Sequence, residues 1–198
     1  MSTEQNYPKS TAVPMGVDGA VGVSEAKWFV AIVNPRHEKS VAERLEDHDC
    51  TAYVATQREL HVWKNGRRKM VDRVVIPSVV FVKCTESVRK EIVALPFILR
   101  FMVNRSCSPG SLSRPVAVIP DEQIARLRFM LGQSDMPVDF VPTVFRVNDN
   151  VRVIRGYFSG LTGEIMKDSD GSHVLVVGLS ILGGAVVHVS PQDVEKIH

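Results

Sequence analysis

The chain has 198 residues, an ordinary apolar share of 44% and a net charge of +2. This length suits one large or two small domains, and no apolar run reaches the roughly 18 residues of a membrane span. The charge is uneven: residues 27–132 hold 18 Lys and Arg against 11 Asp and Glu, and residues 133–198 hold 5 against 8, so a basic body that suits a polyanion or acidic partner adjoins an acidic module.

Residues 1–26 carry Pro8, Pro14, Gly16, Gly19 and Gly22 without the basic start and apolar stretch of a secretory signal. They are expected to form a disordered tail on a cytoplasmic protein. Trp28-Phe29-Val30-Ala31-Ile32-Val33 is a continuous apolar run, as in a strand buried on both faces. Asn34-Pro35 then offers an N-cap and a first-turn proline for a helix of about 14 residues, with Val41, Ala42 and Leu45 on its apolar side. Thr51 to Thr56 reads as a strand. Asn65-Gly66 predicts a type I′ hairpin turn between the arms 60–64 and 67–71, with positive φ at both turn residues. A second buried strand runs from Val74 to Val82. A short helix from Glu86 to Leu95, a strand from Ile98 to Val103 and a helix from Pro120 to Leu131 complete a β-α-β-hairpin-β-α-β-α order. Helices packed on a sheet are the expected result, an α/β sandwich over residues 27–132.

From residue 133 to 145, Ser134, Asp135, Pro137, Asp139 and Pro142 break any periodicity, which predicts a linker. Residues 146–198 then alternate strand and turn. Val151-Arg152-Val153-Ile154-Arg155-Gly156 leads into Gly160 and Gly163, and Val174 to Val177 and Ala185 to Val189 follow. Glycines at this spacing allow positive φ and close backbone approach at a tight bend. The expectation is a small five-stranded β-barrel, so the whole chain is α+β.

Catalytic chemistry finds little support. There is no P-loop, GxGxxG or GxSxG, and the six histidines show no ligand spacing. Asp168 and Asp170 sit in a Lys-Asp-Ser-Asp-Gly turn. Cys50, Cys84 and Cys107 lack CxxC spacing and read as three reduced thiols. No catalytic residue, metal or cofactor is expected. The strongest constellation is the hairpin, where Arg58, Lys64, Arg67, Arg68, Lys69 and Arg73 surround Trp63 and His61. Arginine gives bidentate contacts to phosphate or guanine, and an aromatic ring stacks on an unpaired base.

In order along the chain stand Trp28-Phe29-Val30-Ala31, Glu38, the basic hairpin, Ile76-Pro77-Ser78-Val79-Val80-Phe81-Val82, Leu95-Pro96-Phe97-Ile98 and a barrel ending Val194-Glu195-Lys196-Ile197. The barrel resembles the KOW motif. The order over residues 27–198 resembles NusG-family transcription elongation factors, in which an NGN-type α/β domain precedes an SH3-like KOW barrel. Asn34-Pro35-Arg36-His37-Glu38-Lys39 is similar to the helix opening of the specialised UpxY-like antiterminators of capsular polysaccharide operons. The resemblance implies a monomeric, non-enzymatic antiterminator. Its NGN domain would lay an apolar patch on the β′ clamp helices of RNA polymerase and suppress pausing and termination. Ile76, Pro77, Val79 and Phe81 occupy the place of that patch, where the family carries Phe-Pro-Gly-Tyr. Single-stranded DNA or nascent RNA would meet Trp63, Lys64, Arg67, Arg68 and Arg73, with Arg36 and Lys39 at the helix opening. Ile181-Leu182-Gly183-Gly184 stands where housekeeping members use Ile-Phe-Gly-Arg, so weak or absent Rho and ribosomal-protein binding is expected. The alternatives are a housekeeping NusG coupled to Rho and the ribosome, or a KOW-type RNA-binding protein of ribosome assembly.

Overall fold

The computed structural model describes residues 25–104, 115–133, 137–142, 150–167, 170–179 and 182–197. Most of the expected tail, parts of the linker, Cys107, Asp168 and Ile181 lie outside the described residues.

The first sheet is antiparallel throughout. Strands β1 (Lys27–Ile32), β2 (Thr51–Tyr53), β5 (Val79–Cys84) and β6 (Arg100–Phe101) lie in the order β2-β5-β1-β6, and β7 (Val118–Ile119) also pairs with β1. Phe29 lies opposite Val82, and Val30 opposite Phe81. Successive strand residues face opposite sides, and here both sides are covered. Phe29, Ala31, Val80, Val82 and Cys84 pack with Val41, Leu45 and Ile92 of helices α1 (Glu38–Leu45) and α2 (Glu86–Ile92). Trp28, Val30, Val79 and Phe81 join Ile124, Leu127 and Met130 of α3 (Asp121–Gln133). This is why Trp28–Ile32 of β1 and Val79–Val82 of β5 read as unbroken apolar runs. The remaining pair, β3 (Thr56–Val62) and β4 (Arg68–Val74), forms a separate two-stranded hairpin.

The helix opening differs from expectation. Arg36 has a φ of 69°, so Asn34-Pro35-Arg36 forms a turn closed by the His37 N–H on the Asn34 carbonyl (3.2 Å), and α1 begins only at Glu38. A left-handed residue cannot continue a right-handed helix. Glu38 is buried, and its Oε1 accepts the Ser78 N–H at 2.7 Å.

In the region of the expected five-stranded barrel lies a sheet of six strands in the order β13-β9-β10-β11-β12-β8: β8 (Asp139–Val141), β9 (Asn150–Val153), β10 (Thr162–Lys167), β11 (His173–Gly178), β12 (Gly184–His188) and β13 (Val194–Lys196). The extra strand comes from within the expected linker, for Phe140 pairs with Ala185 of β12. Gly163 marks a close approach, since a Cβ there would lie 2.5 Å from the Val176 carbonyl oxygen.

The α3-side core runs on into the barrel, with Leu175, Val177, Leu179 and Val138 in the same buried cluster. α3 packs against both β3 and β11. A polar clamp fixes the junction: the Val138 N–H donates to Gln57 Oε1 (2.9 Å), and the Val138 carbonyl accepts from Arg73 Nη2 (3.0 Å). Gln57 and Val138 are both buried, so the clamp satisfies backbone groups that water cannot reach.

Candidate nucleic-acid interface

The hairpin is held at its base and free at its tip. Its register runs from Thr56 opposite Val74 to Val62 opposite Arg68. Within the loop, the Trp63 N–H bonds the Arg67 carbonyl and the Gly66 N–H bonds the Trp63 carbonyl, both at 2.9 Å. Gly66 has a φ of 81°, whereas Asn65 is not left-handed. The turn is thus a three-residue loop with one left-handed glycine in place of the expected type I′ turn. Asn65 Oδ1 instead accepts the Arg67 N–H at 3.2 Å, using its short polar side chain to brace the loop.

Every residue from Leu60 to Met70 is exposed. Alternation gives the hairpin two faces. His61 and Lys69 share one, and the His61 ring meets Trp63 edge-on at 4.5 Å and 76°. Trp63, Asn65, Arg67, Arg68 and Lys69 line a shallow concavity of about 450 Å³ at the tip. Among the described residues, the side chains of Lys64, Arg67, Arg68 and Lys69 make no ion pair. The other face carries Leu60, Val62 and Met70, exposed by 54%, 53% and 48%. In the sequence this apolar stripe shows only as the alternation of Leu60-His61-Val62, which the fold sets in register with Met70.

Three of the predicted cations sit elsewhere. Arg73 is half-buried at the hairpin base, bonded to Glu59 Oε2 (2.8 Å) and the Val138 carbonyl. Its Nε and Nη2 are therefore committed inside the protein. Lys39 Nζ reaches the Asp72 carbonyl at 3.0 Å, and Arg36 lies exposed in the turn before α1. The structure brings Trp63, Lys64, Arg67 and Arg68 together and leaves Arg36, Lys39 and Arg73 outside that cluster.

The expected apolar patch is mostly interior. Ile76, Val79 and Phe81 are buried, and only Pro77 of the four is exposed. Tyr53 stacks on Phe81 at 5.9 Å, and the Arg128 guanidinium lies 4.4 Å from the centre of the Tyr53 ring. The period of β5 turns Val79 and Phe81 toward α3, and Ile76, just before the strand, joins the same core. Ser78 keeps a left-handed φ of 61° where the family motif has glycine. In the barrel, Leu182 is buried as well, inside a turn closed by the Leu179 N–H on the Gly183 carbonyl.

Among the described residues no cluster of metal-ligating side chains occurs, and no helix is long and apolar enough to cross a membrane.

The profile of the family described as "Transcription termination factor nusG" matches residues 26–128. The chain is 28% identical over 185 residues to the transcription termination/antitermination protein NusG of Halalkalibacterium halodurans, covering 87% of this chain and 99% of that protein. Its identity to the protein of that name from Bacillus subtilis is 29% over 164 residues, covering 77% and 88%. A solved NusG structure from Thermotoga maritima aligns at a TM-score of 0.42 and 19% identity, over 88% of this chain and 98% of that chain. With the family profile matched across more than half its length, the chain belongs to the NusG family of transcription termination and antitermination factors.

Proposed function

We propose that this chain is an antiterminator that binds RNA polymerase and suppresses pausing and termination on particular operons, those of polysaccharide biosynthesis. The hairpin carries this reading. Four cations that make no ion pair among the described residues stand around an exposed Trp at its tip, and an apolar stripe lines one face. Such a surface suits a groove where polymerase protein and an unpaired nucleic-acid strand lie side by side. The likeness of the Asn34–Lys39 opening to the specialised branch supports operon selectivity. Burial of Leu182, and glycine at position 184, support weak coupling to Rho and ribosome, because interface anchors are typically exposed aromatic or arginine side chains. Burial of Ile76, Val79 and Phe81 moves the proposed polymerase contact toward Pro77 and the Leu60-Val62-Met70 stripe.

In vitro transcription through pause and termination sites tests the proposal. The Arg67→Ala/Arg68→Ala double variant should lose most antitermination and lower the salt dependence of nucleic-acid binding by roughly one slope unit per cation removed. Leu60→Ser/Met70→Ser should weaken polymerase binding and spare the fold, since both positions are exposed. Unchanged readthrough in both variants would refute the hairpin assignment. A further titration with Rho and with the ribosomal partner distinguishes the housekeeping reading, which requires micromolar or tighter binding.

A further inference from the structure

Cys50 immediately precedes β2, and Cys84 ends β5. The antiparallel register pairs Tyr53 with Phe81, Ala52 with Val82 and Thr51 with Lys83. Extended one residue beyond β2, the same register would place Cys50 opposite Cys84. Both cysteines face the same side of the sheet: Cys84 belongs to the cluster under α1 and α2, and Cys50 packs against that cluster. Cys84 is only 2% exposed, whereas Cys50 is partly exposed and its Sγ donates to the Leu45 carbonyl at 2.9 Å. Directly opposed residues of antiparallel strands have Cα atoms about 4.5–5.5 Å apart, within the roughly 4.4–6.8 Å that a disulfide spans. Burial pushes the Cys84 thiol up to about 12, with a further push from neighbouring Cys50. Burial also raises the Cys50 thiol, helped by Asp49 and Glu46. Neither thiol therefore rests as a thiolate, so any closure is slow and follows sustained oxidation.

We propose that Cys50 and Cys84 form a cross-strand thiol pair that closes to an intrachain disulfide with a low-molecular-weight disulfide as oxidant. Cys50, the more exposed thiol, loses its proton and attacks one sulfur of the small disulfide. That S–S bond breaks, and the leaving thiolate takes up a proton. Cys84 then loses its proton and attacks Cys50 Sγ, which forms the protein disulfide and releases the second small thiol. Two protein thiols are oxidised by two electrons, and one small disulfide is reduced to two thiols. The closed loop spans residues 51–83 and so encloses the whole β3–β4 hairpin, stapling edge strand β2 to β5 beneath it.

The test incubates the full chain with oxidised glutathione, followed by denaturation, alkylation and peptide mapping. The expected result is a mass lower by two hydrogens, a linked Cys50–Cys84 peptide and a Tm raised by several degrees, all reversed by reductant. Cys107→Ser should keep the response, and Cys50→Ser should lose it. If Cys50→Ser folds poorly, peptide mapping of the parent chain decides. Glutathione retained on Cys50 without a cross-link, a link made through Cys107, or unchanged free thiols would each overturn it.

Discussion

At Ser78 a single residue bears two opposing demands. Its φ of 61° costs a non-glycine residue about 1–2 kcal/mol, yet its N–H donates to buried Glu38 and its carbonyl accepts from Val33. Ser78→Gly relieves the strain and keeps both bonds, while the freer unfolded chain offsets about 0.4–1 kcal/mol. Urea unfolding should show a net gain of roughly 0.5–1 kcal/mol; a loss would mean that the serine side chain contributes more than the strain costs. Tyr53 shows the same local control in its titration. Burial pushes its hydroxyl up to about 12 against the pull of Arg128. A raised folded pKa favours the neutral phenol, so its stabilisation is complete below the unfolded value near 10 and is lost as pH rises from about 10 to 12. Cys84, also raised to about 12, adds an alkaline loss that starts near 9. Tyr53→Phe should therefore retain more stability than the parent between about pH 10 and 11.5 in denaturant midpoints. Identical pH profiles would remove the phenol from the account.

Among the elements, Gly163 sets how closely β10 and β11 approach. A Cβ at this position would meet backbone, the Val176 carbonyl oxygen, at 2.5 Å, and backbone cannot rotate aside as a side chain can. Gly163→Ala should destabilise the chain by roughly 1–3 kcal/mol. Gly66→Ala changes only the exposed hairpin loop and should leave the barrel strands' hydrogen-exchange protection intact, whereas Gly163→Ala should lower it. The elements also show how much was legible. β1 and β5 could be read because both faces of Trp28–Ala31 and Val79–Val82 are buried and those stretches are all apolar. The basic hairpin could be read because charge and Asn65-Gly66 are local signals. The start of α1 could not, because the left-handed Arg36 and the pull of Ser78 on Glu38 come from tertiary geometry. β8 was hidden for a similar reason: the partners of its approach, Gln57 and Arg73, are distant in sequence. Burial of Val79 and Phe81 follows from the same β5 periodicity that made the strand legible, and Ile76 is buried in the segment just before it, but a surface patch and a core strand have the same composition.

For the whole molecule, the question is what ties barrel to sheet. Apolar packing across α3 is continuous, but the Val138 clamp is the polar, directional part of the junction. It also decides the role of Arg73. This residue counts toward the basic hairpin in the sequence, yet its guanidinium serves Glu59 and the Val138 carbonyl. Arg73→Ala leaves that buried carbonyl unpaired, which costs about 1–3 kcal/mol. Amide exchange should then quicken in β8 and in Ala185 and Val186 of β12, while β1 and β5 stay protected. Nucleic-acid affinity and its salt slope should change little. Arg67→Ala should do the reverse, weakening nucleic-acid binding with stability within about 0.5 kcal/mol of the parent, as at other exposed sites. If Arg73→Ala instead weakens nucleic-acid binding as Arg67→Ala does and leaves β8 exchange unchanged, Arg73 belongs to the binding surface and the clamp does not hold the two halves of the chain together.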